Sequence, residues 1–166
     1  LGTGTGAGIS IHGQIVLGCN AIAGEWGHNP LPWPTADETP GPLCYCGLHG
    51  CIETFLSGPG LSRDHQNHTQ AGLNPQQILA LAEQQHAQCE QSLQRYEDRL
   101  ARALATVINI LDPDVIVLGG GLSNIKRLYS RVPLLWKKYV FSDTVTTKLV
   151  AAKFADSSGV RGAAWL

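Results

Sequence analysis

The sequence has no methionine, few aromatic residues (7%) and little net charge, because 12 Lys and Arg face 13 Asp and Glu for a formal net charge of -1. Proteins that bind nucleic acid non-specifically usually carry a basic excess, so this balance argues against that class. No apolar run approaches the roughly 18 residues of a membrane span, and we expect no membrane partner. With 43% hydrophobic and 15% charged residues, the chain also lacks the composition of a disordered protein.

The first residues lack the features of a secretion signal. The chain opens at Leu1 with no charged leader and no initiator methionine, so we expect no signal peptide and a cytoplasmic protein. A glycine-rich turn at position 2 with no element before it indicates a chain that begins inside a fold. A length of 166 residues suits one domain with a buried core.

The order of sequence patterns predicts an α/β fold, because strand-like and helix-like segments alternate. Residues 19–50 are rich in loops and prolines, and the segment 57–60 reads as a break after a short helix. Val115–Leu118 is β-branched and reads as a parallel strand buried on both faces. The other predicted elements are a hairpin over 7–12 and 15–17, helices at 53–56, 74–82, 89–111, near 123 and 131–141, a strand at 148–154 and a last helix capped by 156–159.

The segment from Leu1 to Gly8 has glycine at every second position. Glycine allows backbone N–H groups to approach an anion without obstruction by a Cβ atom, and the hydroxyls of Thr3 and Thr5 can add hydrogen bonds to phosphate oxygens. The segment is neither a Walker A loop nor a Rossmann fingerprint, since it lacks Gly-Lys-Ser/Thr and precedes a strand. It predicts a phosphate site, with an ordinary glycine-rich hairpin as the alternative.

Three cysteines, Cys44, Cys46 and Cys51, fall within eight residues, and His28 precedes them. One imidazole and three thiolates make a closed tetrahedral zinc set, which leaves no position for a catalytic water. The sequence therefore predicts a structural zinc that holds the proline-rich loop. His49 competes as the fourth ligand, and three unligated thiols are the alternative. Cys19 and Cys89 are isolated, and we expect them to be inert.

Two carboxylates lie near the predicted zinc ligands. Glu25 stands three residues before His28, and Glu53 stands two residues after Cys51. A metal at this loop would bring Glu25 and Glu53 together on one side of a pocket, which we call the carboxylate wall. Carboxylates are good acceptors for vicinal sugar hydroxyls. We therefore expect a carbohydrate pocket, with two solvated surface glutamates as the alternative.

Several linked motifs extend over essentially the whole chain. They are Gly4-x-Gly6-x-Gly8, Gly18, Gly24-Glu25-x-Gly27-His28, Cys44-x-Cys46-Gly47-x-x-Gly50-Cys51-Ile52-Glu53, Ser57-Gly58, Asp112-Pro113-Asp114-Val115, Gly119-Gly120-Gly121-Leu122-Ser123-Asn124 and Gly159-Val160-Arg161-Gly162-Ala163-Ala164. Together these motifs resemble those of the ROK family of sugar kinases and repressors. The resemblance implies the carboxy-terminal domain of an actin-like ATPase (ribonuclease H-like) fold over residues 1–166, with a mixed sheet, flanking helices and a zinc loop at 28–53.

The resemblance also implies roles for individual residues. Glu25, His28 and Glu53 would face a hexose, and His28 would also ligate Zn²⁺. The residues implied at ATP are Thr3, Gly4, Thr5 and Gly6 at the phosphates and Gly119, Gly120 and Gly121 near the adenosine. Mg²⁺ would neutralise phosphate charge. No catalytic residue is expected in this chain, because the family's catalytic aspartate lies in an amino-terminal domain that is absent here.

The implied function is ATP-dependent phosphorylation of a hexose, with the isolated chain inactive. The segments 25–33 and 44–46 are most similar to those of the family's fructokinases, and N-acetylglucosamine kinases are the near alternative. A sugar-responsive repressor and a stand-alone zinc module are alternatives from other classes. A homodimer is a possible assembly, and no nucleic-acid partner is expected.

Overall fold

The computed structural model describes residues 1–154. Within this range no helix is both long and apolar enough to cross a membrane. The main elements are β1 (Ser10–Ile11), β2 (Gln14–Ile15), α1 (Ile52–Leu56), α2 (Gly58–Thr69), α3 (Pro75–Glu83), α4 (Ala87–Leu111), β3 (Val115–Leu118), α5 (Leu128–Leu135) and β4 (Lys148–Ala151). The long segment between β2 and α1 contains only two short 3-10 turns, which agrees with the predicted loop.

Helix α4 forms the centre of the hydrophobic core. Its apolar residues recur at steps of three and four, so one stripe faces inward as the sequence predicts. Leu100 and Leu104 are at most 3% exposed, and α4 packs against α1, α2, α3 and α5. Burial of each such leucine contributes about 1.5–3 kcal/mol. The helix ends at Leu111, since Asp112 is left-handed (φ 42°) and Pro113 follows.

Strand β3 pairs in parallel with β4, and Val115 lies opposite Lys148. The parallel direction confirms the prediction, but the expectation of burial on both faces is wrong. Ile116 and Leu118 pack toward the core, whereas Val115 is 46% and Val117 54% exposed. Side chains alternate between the two faces of a strand, so only one face of β3 is covered in the described part of the chain.

The predicted hairpin is confirmed, although it is short: Ser10 pairs with Ile15, and Ile11 with Gln14. The hairpin and the parallel pair are separate two-stranded sheets within residues 1–154. Antiparallel and parallel pairing thus both occur among the described residues, in two separate sheets, and the mixed sheet that the resemblance implied stays a prediction.

The predicted break after the short helix is confirmed at Ser57, which ends α1, but a second helix, α2, begins at Gly58 and was not predicted. The Ser57 hydroxyl accepts a hydrogen bond from the Gly60 N–H (3.1 Å), and Pro59 lies in the first turn of α2. A proline there loses no hydrogen bond, because the first N–H groups of a helix have no intrahelical acceptor. Serine, glycine and proline thus mark the junction between α1 and α2.

Two further helix predictions need correction. The helix expected near Ser123 is a 3-10 turn, Gly121–Asn124, and the helix expected over 131–141 is α5 followed by a 3-10 turn, Trp136–Lys138. The second strand ends at Ala151 rather than at residue 154. The predicted final helix lies outside the described residues.

Candidate functional site

Two glycine-rich turns, separated by more than 100 residues in the chain, lie side by side. The amino nitrogen of Leu1 donates to the carbonyl of Gly119 (2.7 Å), and the Leu122 N–H donates to the carbonyl of Leu1 (3.1 Å). Gly120 has φ 82°, and a Cβ atom there would lie 2.5 Å from the Leu1 carbonyl oxygen. Only glycine fits at this contact, which joins the turn that begins at Leu1 to the turn at Gly119–Gly121.

The first turn has an open side. The N–H groups of Thr3, Gly4 and Gly6 have no acceptor among residues 1–154, and all three residues are exposed. The space that a side chain would occupy at Gly2 and Gly6 is free of atoms. Neighbouring unpaired N–H groups beside free space can bind an anion such as a phosphate.

Thr3 is exposed, whereas Thr5 is buried. Its side chain is 4% exposed, and its hydroxyl has no hydrogen-bond partner among the described residues. Its N–H donates to Oε2 of Glu53 (2.8 Å). Both donors therefore point into the protein, and the expectation that the Thr5 hydroxyl adds a hydrogen bond to a phosphate is not met. The exposed hydroxyl of Thr3 remains available for that role.

The four predicted zinc ligands form one cluster. The ligand atoms of His28, Cys44, Cys46 and Cys51 all lie within 4.8 Å of one another. The Sγ atoms of Cys46 and Cys51 are 3.6 Å apart, and the Sγ of Cys44 is 3.6 Å from Nδ1 of His28. The Pro30–Cys51 bridge and the hydrogen bond from the Ile52 N–H to the Asn29 carbonyl (2.8 Å) bring the His28 and Cys51 segments together.

These distances fit a tetrahedral zinc ion. With Zn–S bonds of about 2.3 Å and a Zn–N bond of about 2.0 Å, tetrahedral angles give edges of about 3.8 Å between sulfurs and about 3.5 Å between sulfur and nitrogen. The two distances above are close to these edges. Three sulfurs and one imidazole are a typical structural zinc set, so the cluster can hold Zn²⁺ through these four side chains.

The protonation of the thiols depends on their surroundings. Burial raises the pKa of the Cys51 thiol to about 12. A hydrogen bond from the Leu48 backbone lowers the pKa of the exposed Cys46 thiol to about 7. A bound cation would have to displace the proton of Cys51, so metal binding and proton release are coupled in this cluster.

The competing and isolated candidates lie outside the cluster. Nδ1 of His49 is 3.0 Å from the carbonyl oxygen of Gly41 and is therefore the donor in that hydrogen bond. Cys19 is exposed, and Cys89 is buried in the core beside the other apolar residues of α4. Geometry thus favours His28 over His49 as the fourth ligand.

The segment that carries Glu25 and His28 packs directly on the first glycine-rich turn. A Cβ atom at Gly27 would overlap the carbonyl oxygen of Thr5, so only glycine allows this approach. The 3-10 turn Trp26–His28 then directs the imidazole toward the cysteines. Glu53 reaches the same turn from α1 through its hydrogen bond to the Thr5 N–H. Glu25, His28 and Glu53 thus come from segments that meet at Thr5.

Tyr45 lies among the predicted sugar-binding residues. Its hydroxyl is 2.8 Å from Nε2 of His28, and the two rings meet edge to face with centroids 5.0 Å apart. Tyr45 is largely exposed, and slight desolvation by its neighbours together with the negative charges of Glu53, Cys44 and Glu25 raises the pKa of its phenol. Both carboxylates are therefore close enough to this hydroxyl to act on it electrostatically. In the sequence, Tyr45 stands out only as part of the cysteine motif, and nothing there indicates a role of its own.

Two cavities in the described part of the chain lie away from these residues. Their volumes are about 660 and 420 Å³, and they lie on either side of the buried Arg99 and Glu38 side chains. Neither is lined by Glu25, His28 or Glu53. The predicted sugar-binding residues therefore do not line either of these two cavities.

A buried ion network anchors the proline-rich loop, and the sequence analysis missed it. Glu38 is 6% exposed and accepts hydrogen bonds from Arg99 (2.7 Å) and Arg102 (2.8 Å) of α4. Burial alone would raise the pKa of Glu38, but the hydrogen bonds from the two arginines lower it to about 2. Arg102 also donates to the carbonyl of Trp33 (2.7 Å). The loop is thus held by α4 as well as by the cysteine cluster.

Comparison with known proteins identifies the family. The ROK family model matches residues 1–166, so the chain belongs to the ROK family. An N-acetyl-D-glucosamine kinase of Yersinia enterocolitica is 35% identical over 170 residues, which cover 100% of this chain and 56% of that kinase. The chain therefore spans just over half the length of this relative.

Solved structures agree with the family and its fold. The crystal structure of a ROK family glucokinase from Streptomyces griseus, in complex with glucose and AMPPNP, has a TM-score of 0.85 and 25% identity over 99% of this chain and 57% of that one. A ROK family transcriptional regulator, a homologue of the Escherichia coli MLC protein, has a TM-score of 0.76 and 26% identity over 91% of this chain and 40% of that one. The fold is thus that of the ROK proteins, in both their kinases and their regulators.

Proposed function

We propose that this chain is the sugar- and nucleotide-binding carboxy-terminal part of an ATP-dependent hexose kinase. The observation that carries the proposal is the hydrogen bond from the Thr5 N–H to Glu53. It connects a glycine-rich turn that has unpaired N–H groups to a glutamate next to the cysteine cluster. A phosphate donor and a hydroxylated acceptor would therefore lie on neighbouring surfaces, as phosphoryl transfer requires.

The nucleotide side of the proposal rests on the two joined turns. The unpaired N–H groups of Thr3, Gly4 and Gly6 would bind phosphate oxygens of ATP, and the turn at Gly119–Gly121 would lie near the adenosine. Mg²⁺ would neutralise phosphate charge, and no described residue is assigned to hold it. Positioning and electrostatic stabilisation are the main demands of this chemistry, and backbone donors supply part of both.

The sugar side of the proposal rests on Glu25, His28 and Glu53. The carboxylates of Glu25 and Glu53 would accept hydrogen bonds from vicinal hydroxyls, which favours sugars that present those hydroxyls in the right geometry. Zn²⁺ held by His28 and the three cysteines would be structural, since four protein ligands leave no open position. Its task would be to fix the loop that carries this wall.

Catalysis would need a partner domain. The ROK resemblance implies that an aspartate of an amino-terminal domain removes the proton of the attacking sugar hydroxyl, and this chain contains no residue assigned to that task. We therefore propose that the 166-residue chain binds ligands without turning them over. A homodimer remains a prediction from the same resemblance.

Two hexoses are candidates for the preferred substrate, fructose and N-acetylglucosamine. The segments 25–33 and 44–46 favour a fructokinase, whereas the relative from Yersinia enterocolitica and another from Photobacterium profundum, which is 37% identical, are named N-acetyl-D-glucosamine kinases. Similarity over the whole chain outweighs two short segments, so N-acetylglucosamine is the better supported substrate.

A regulator that responds to a sugar is the second candidate, and the similarity to the ROK transcriptional regulator supports it. A regulator does not need to hold ATP, so the unpaired N–H groups of the first turn favour the kinase. Nucleotide binding to this chain separates the two, since a kinase part should bind an ATP analogue and a regulator should not.

The test of the proposed function is a coupled kinase assay on the protein encoded by the complete reading frame. N-acetylglucosamine, fructose, mannose and glucose are compared as acceptors at equal concentration. We expect ATP-dependent phosphorylation of at least one of them, and none with the 166-residue chain alone. If the complete protein phosphorylates none of the four sugars, the proposal of a hexose kinase is refuted. Turnover by the isolated chain would refute the proposal that the catalytic base lies outside it.

A further inference from the structure

Tyr45 is an exposed aromatic residue on a well-fixed backbone. It is 84% exposed, and it lies between two cluster cysteines in a tight turn. The Cys44 N–H donates to the Leu48 carbonyl (2.8 Å), and the Gly47 N–H donates to the Cys44 carbonyl (3.0 Å). Neither hydrogen bond involves the side chain of Tyr45, so the phenol can change its rotamer without disturbing the turn.

The phenol is held in its position by His28. Among the described residues, the one hydrogen-bond partner of the Tyr45 hydroxyl is Nε2 of His28, at 2.8 Å. The phenol ring meets the imidazole edge to face, with the ring centroids 5.0 Å apart. A single hydrogen bond between neutral, solvent-exposed groups contributes little net stability. A ligand that offers His28 an equivalent partner can therefore replace the phenol.

Nε2 of His28 serves one acceptor at a time. Nδ1 of the same ring faces the Sγ of Cys44 (3.6 Å) and is thus the nitrogen directed at the cysteine cluster. With Nδ1 on a metal, the single proton of the neutral imidazole is on Nε2. That N–H points along one direction in the ring plane, where the oxygen of Tyr45 lies. A hexose hydroxyl that accepts from His28 must therefore take the place of the phenol oxygen.

We propose that the Tyr45 hydroxyl occupies the place of one hexose hydroxyl on Nε2 of His28, and that the hexose displaces it on binding. His28 then contacts the sugar directly, and Tyr45 sets the strength of that contact by competing for the same N–H. This inference rests on the proposed function, because it assumes that His28 and the carboxylate wall bind a hexose.

The competition has a consequence for affinity and for selectivity. A hexose that presents a hydroxyl to Nε2 of His28 gains one hydrogen bond but breaks the one between His28 and Tyr45. A hexose that lacks this hydroxyl leaves the phenol in place and breaks no bond. Tyr45 therefore lowers the affinity for the fully hydroxylated sugar and reduces the discrimination against its deoxy analogue at that one position.

The test uses Tyr45→Phe in the complete protein, with Tyr139→Phe as the matched control. Tyr139 lies away from the carboxylate wall, and its hydroxyl is 3.3 Å from a carboxylate oxygen of Asp98. Phenylalanine keeps the ring but cannot accept from Nε2, so we expect the dissociation constant of the hexose, measured by calorimetry, to fall about two- to tenfold. The KM for ATP and the zinc content should not change. Tyr139→Phe should leave all three unchanged.

Mono-deoxy forms of the hexose locate the contact. The form that lacks the hydroxyl facing His28 should bind equally to the wild type and to Tyr45→Phe, whereas the other forms should bind more tightly to the variant. An unchanged or raised dissociation constant of the parent hexose in Tyr45→Phe, or an equal gain for every deoxy form, would overturn the inference. Hexose binding without phosphorylation would refute the proposed kinase and leave this binding test intact, whereas a complete protein that binds no hexose would refute both.

Discussion

Residues 1–51 and residues 52–138 of the chain are held together by different interactions. The first region has three buried hydrophobic side chains, Leu31, Cys44 and Cys51, and two of these belong to the cysteine cluster. Nearly all of the remaining core lies between Ile52 and Trp136. The helical region is therefore stabilised by apolar burial, whereas the region that carries the candidate site depends on polar contacts, close glycine packing and the cluster.

This difference explains why a metal bound at the cysteine cluster would matter for the first region and not for the helical one. A segment with little apolar surface to bury cannot offset the entropy cost of ordering its backbone, and cross-links or metals usually supply the rest. The buried network of Glu38, Arg99 and Arg102 connects the two regions, since it ties the proline-rich loop to α4. Substitutions in each region should therefore have separate effects on ligand binding and on global stability.

The largest expected effect is that of Cys46→Ser in the complete protein. Loss of one of four ligands should remove the metal, and the hexose affinity should fall with it, because the loop that carries the wall is no longer fixed. The melting temperature should also fall. Metal analysis and hexose KM measure the effect, and Cys19→Ser is the control, since Cys19 is exposed and outside the cluster. If the variant lacks the metal but keeps its full hexose affinity, residues 1–51 do not depend on the cluster as this comparison of the two regions holds.

Leu100→Ala should affect the other region. Leu100 is fully buried in α4, and a leucine-to-alanine change in a core costs about 2–5 kcal/mol. The free energy of unfolding, measured with denaturant, should fall by that amount while the metal content of the folded fraction stays the same. Leu134→Ala, at a residue that is 66% exposed, should change little. Loss of the metal from folded Leu100→Ala protein would show that the two regions are not independent.

Glu38→Gln tests the connection between the regions through pH. The pKa of Glu38 is lowered to about 2 in the folded chain, so its ionised form stabilises the fold above the ordinary pKa of a glutamate, and this stabilisation is lost as pH falls toward 2. The shift corresponds to at most about 3 kcal/mol. Acid unfolding between pH 5 and 2 should be less steep in Glu38→Gln than in the wild type. Equal slopes would mean that the network contributes nothing to stability.

Thr5→Val should have the smallest effect, and it should be stabilising. The Thr5 hydroxyl is buried without a partner among the described residues, and replacing it with a methyl group removes a desolvation cost of about 1 kcal/mol. The KM for ATP should not change. Thr3→Val is the contrast, because the exposed Thr3 hydroxyl is the one proposed for phosphate, and its loss should raise the KM for ATP. If Thr5→Val raised the KM for ATP and Thr3→Val did not, the Thr5 hydroxyl and not the Thr3 hydroxyl would face the phosphates.

The sequence predicts the elements whose signal is local. The apolar steps of α4 and the cap at Asn74 specify their helices, and the closely spaced cysteines with His28 predict the cluster. The helix α2 was missed because Ser57, Gly58 and Pro59 are typical of turns as well as of helix starts, and only the bond from Gly60 to Ser57 decides between them. The exposure of Val115 and Val117 depends on which elements cover the two faces of the sheet. A β-branched sequence alone does not show whether one face or both are covered.

Contacts between distant segments could not be predicted from local patterns. Arg99 and Arg102 lie on α4 three residues apart, which indicates a shared face but not the partner, Glu38, that lies more than 60 residues earlier. The burial of Thr5 but not of Thr3 is decided by packing against Gly27 and Glu53. The alternation of glycine and threonine does not by itself distinguish the hydroxyl of Thr3 from that of Thr5.

The most direct test of the central claim is the hexose KM of the complete protein before zinc removal, after zinc removal by a chelator and after zinc is added back. The account predicts that hexose phosphorylation is lost or the hexose KM rises at least tenfold without zinc, that the KM for ATP changes little where activity remains, and that zinc restores the original values. An unchanged hexose KM in protein shown by metal analysis to be free of zinc would contradict it.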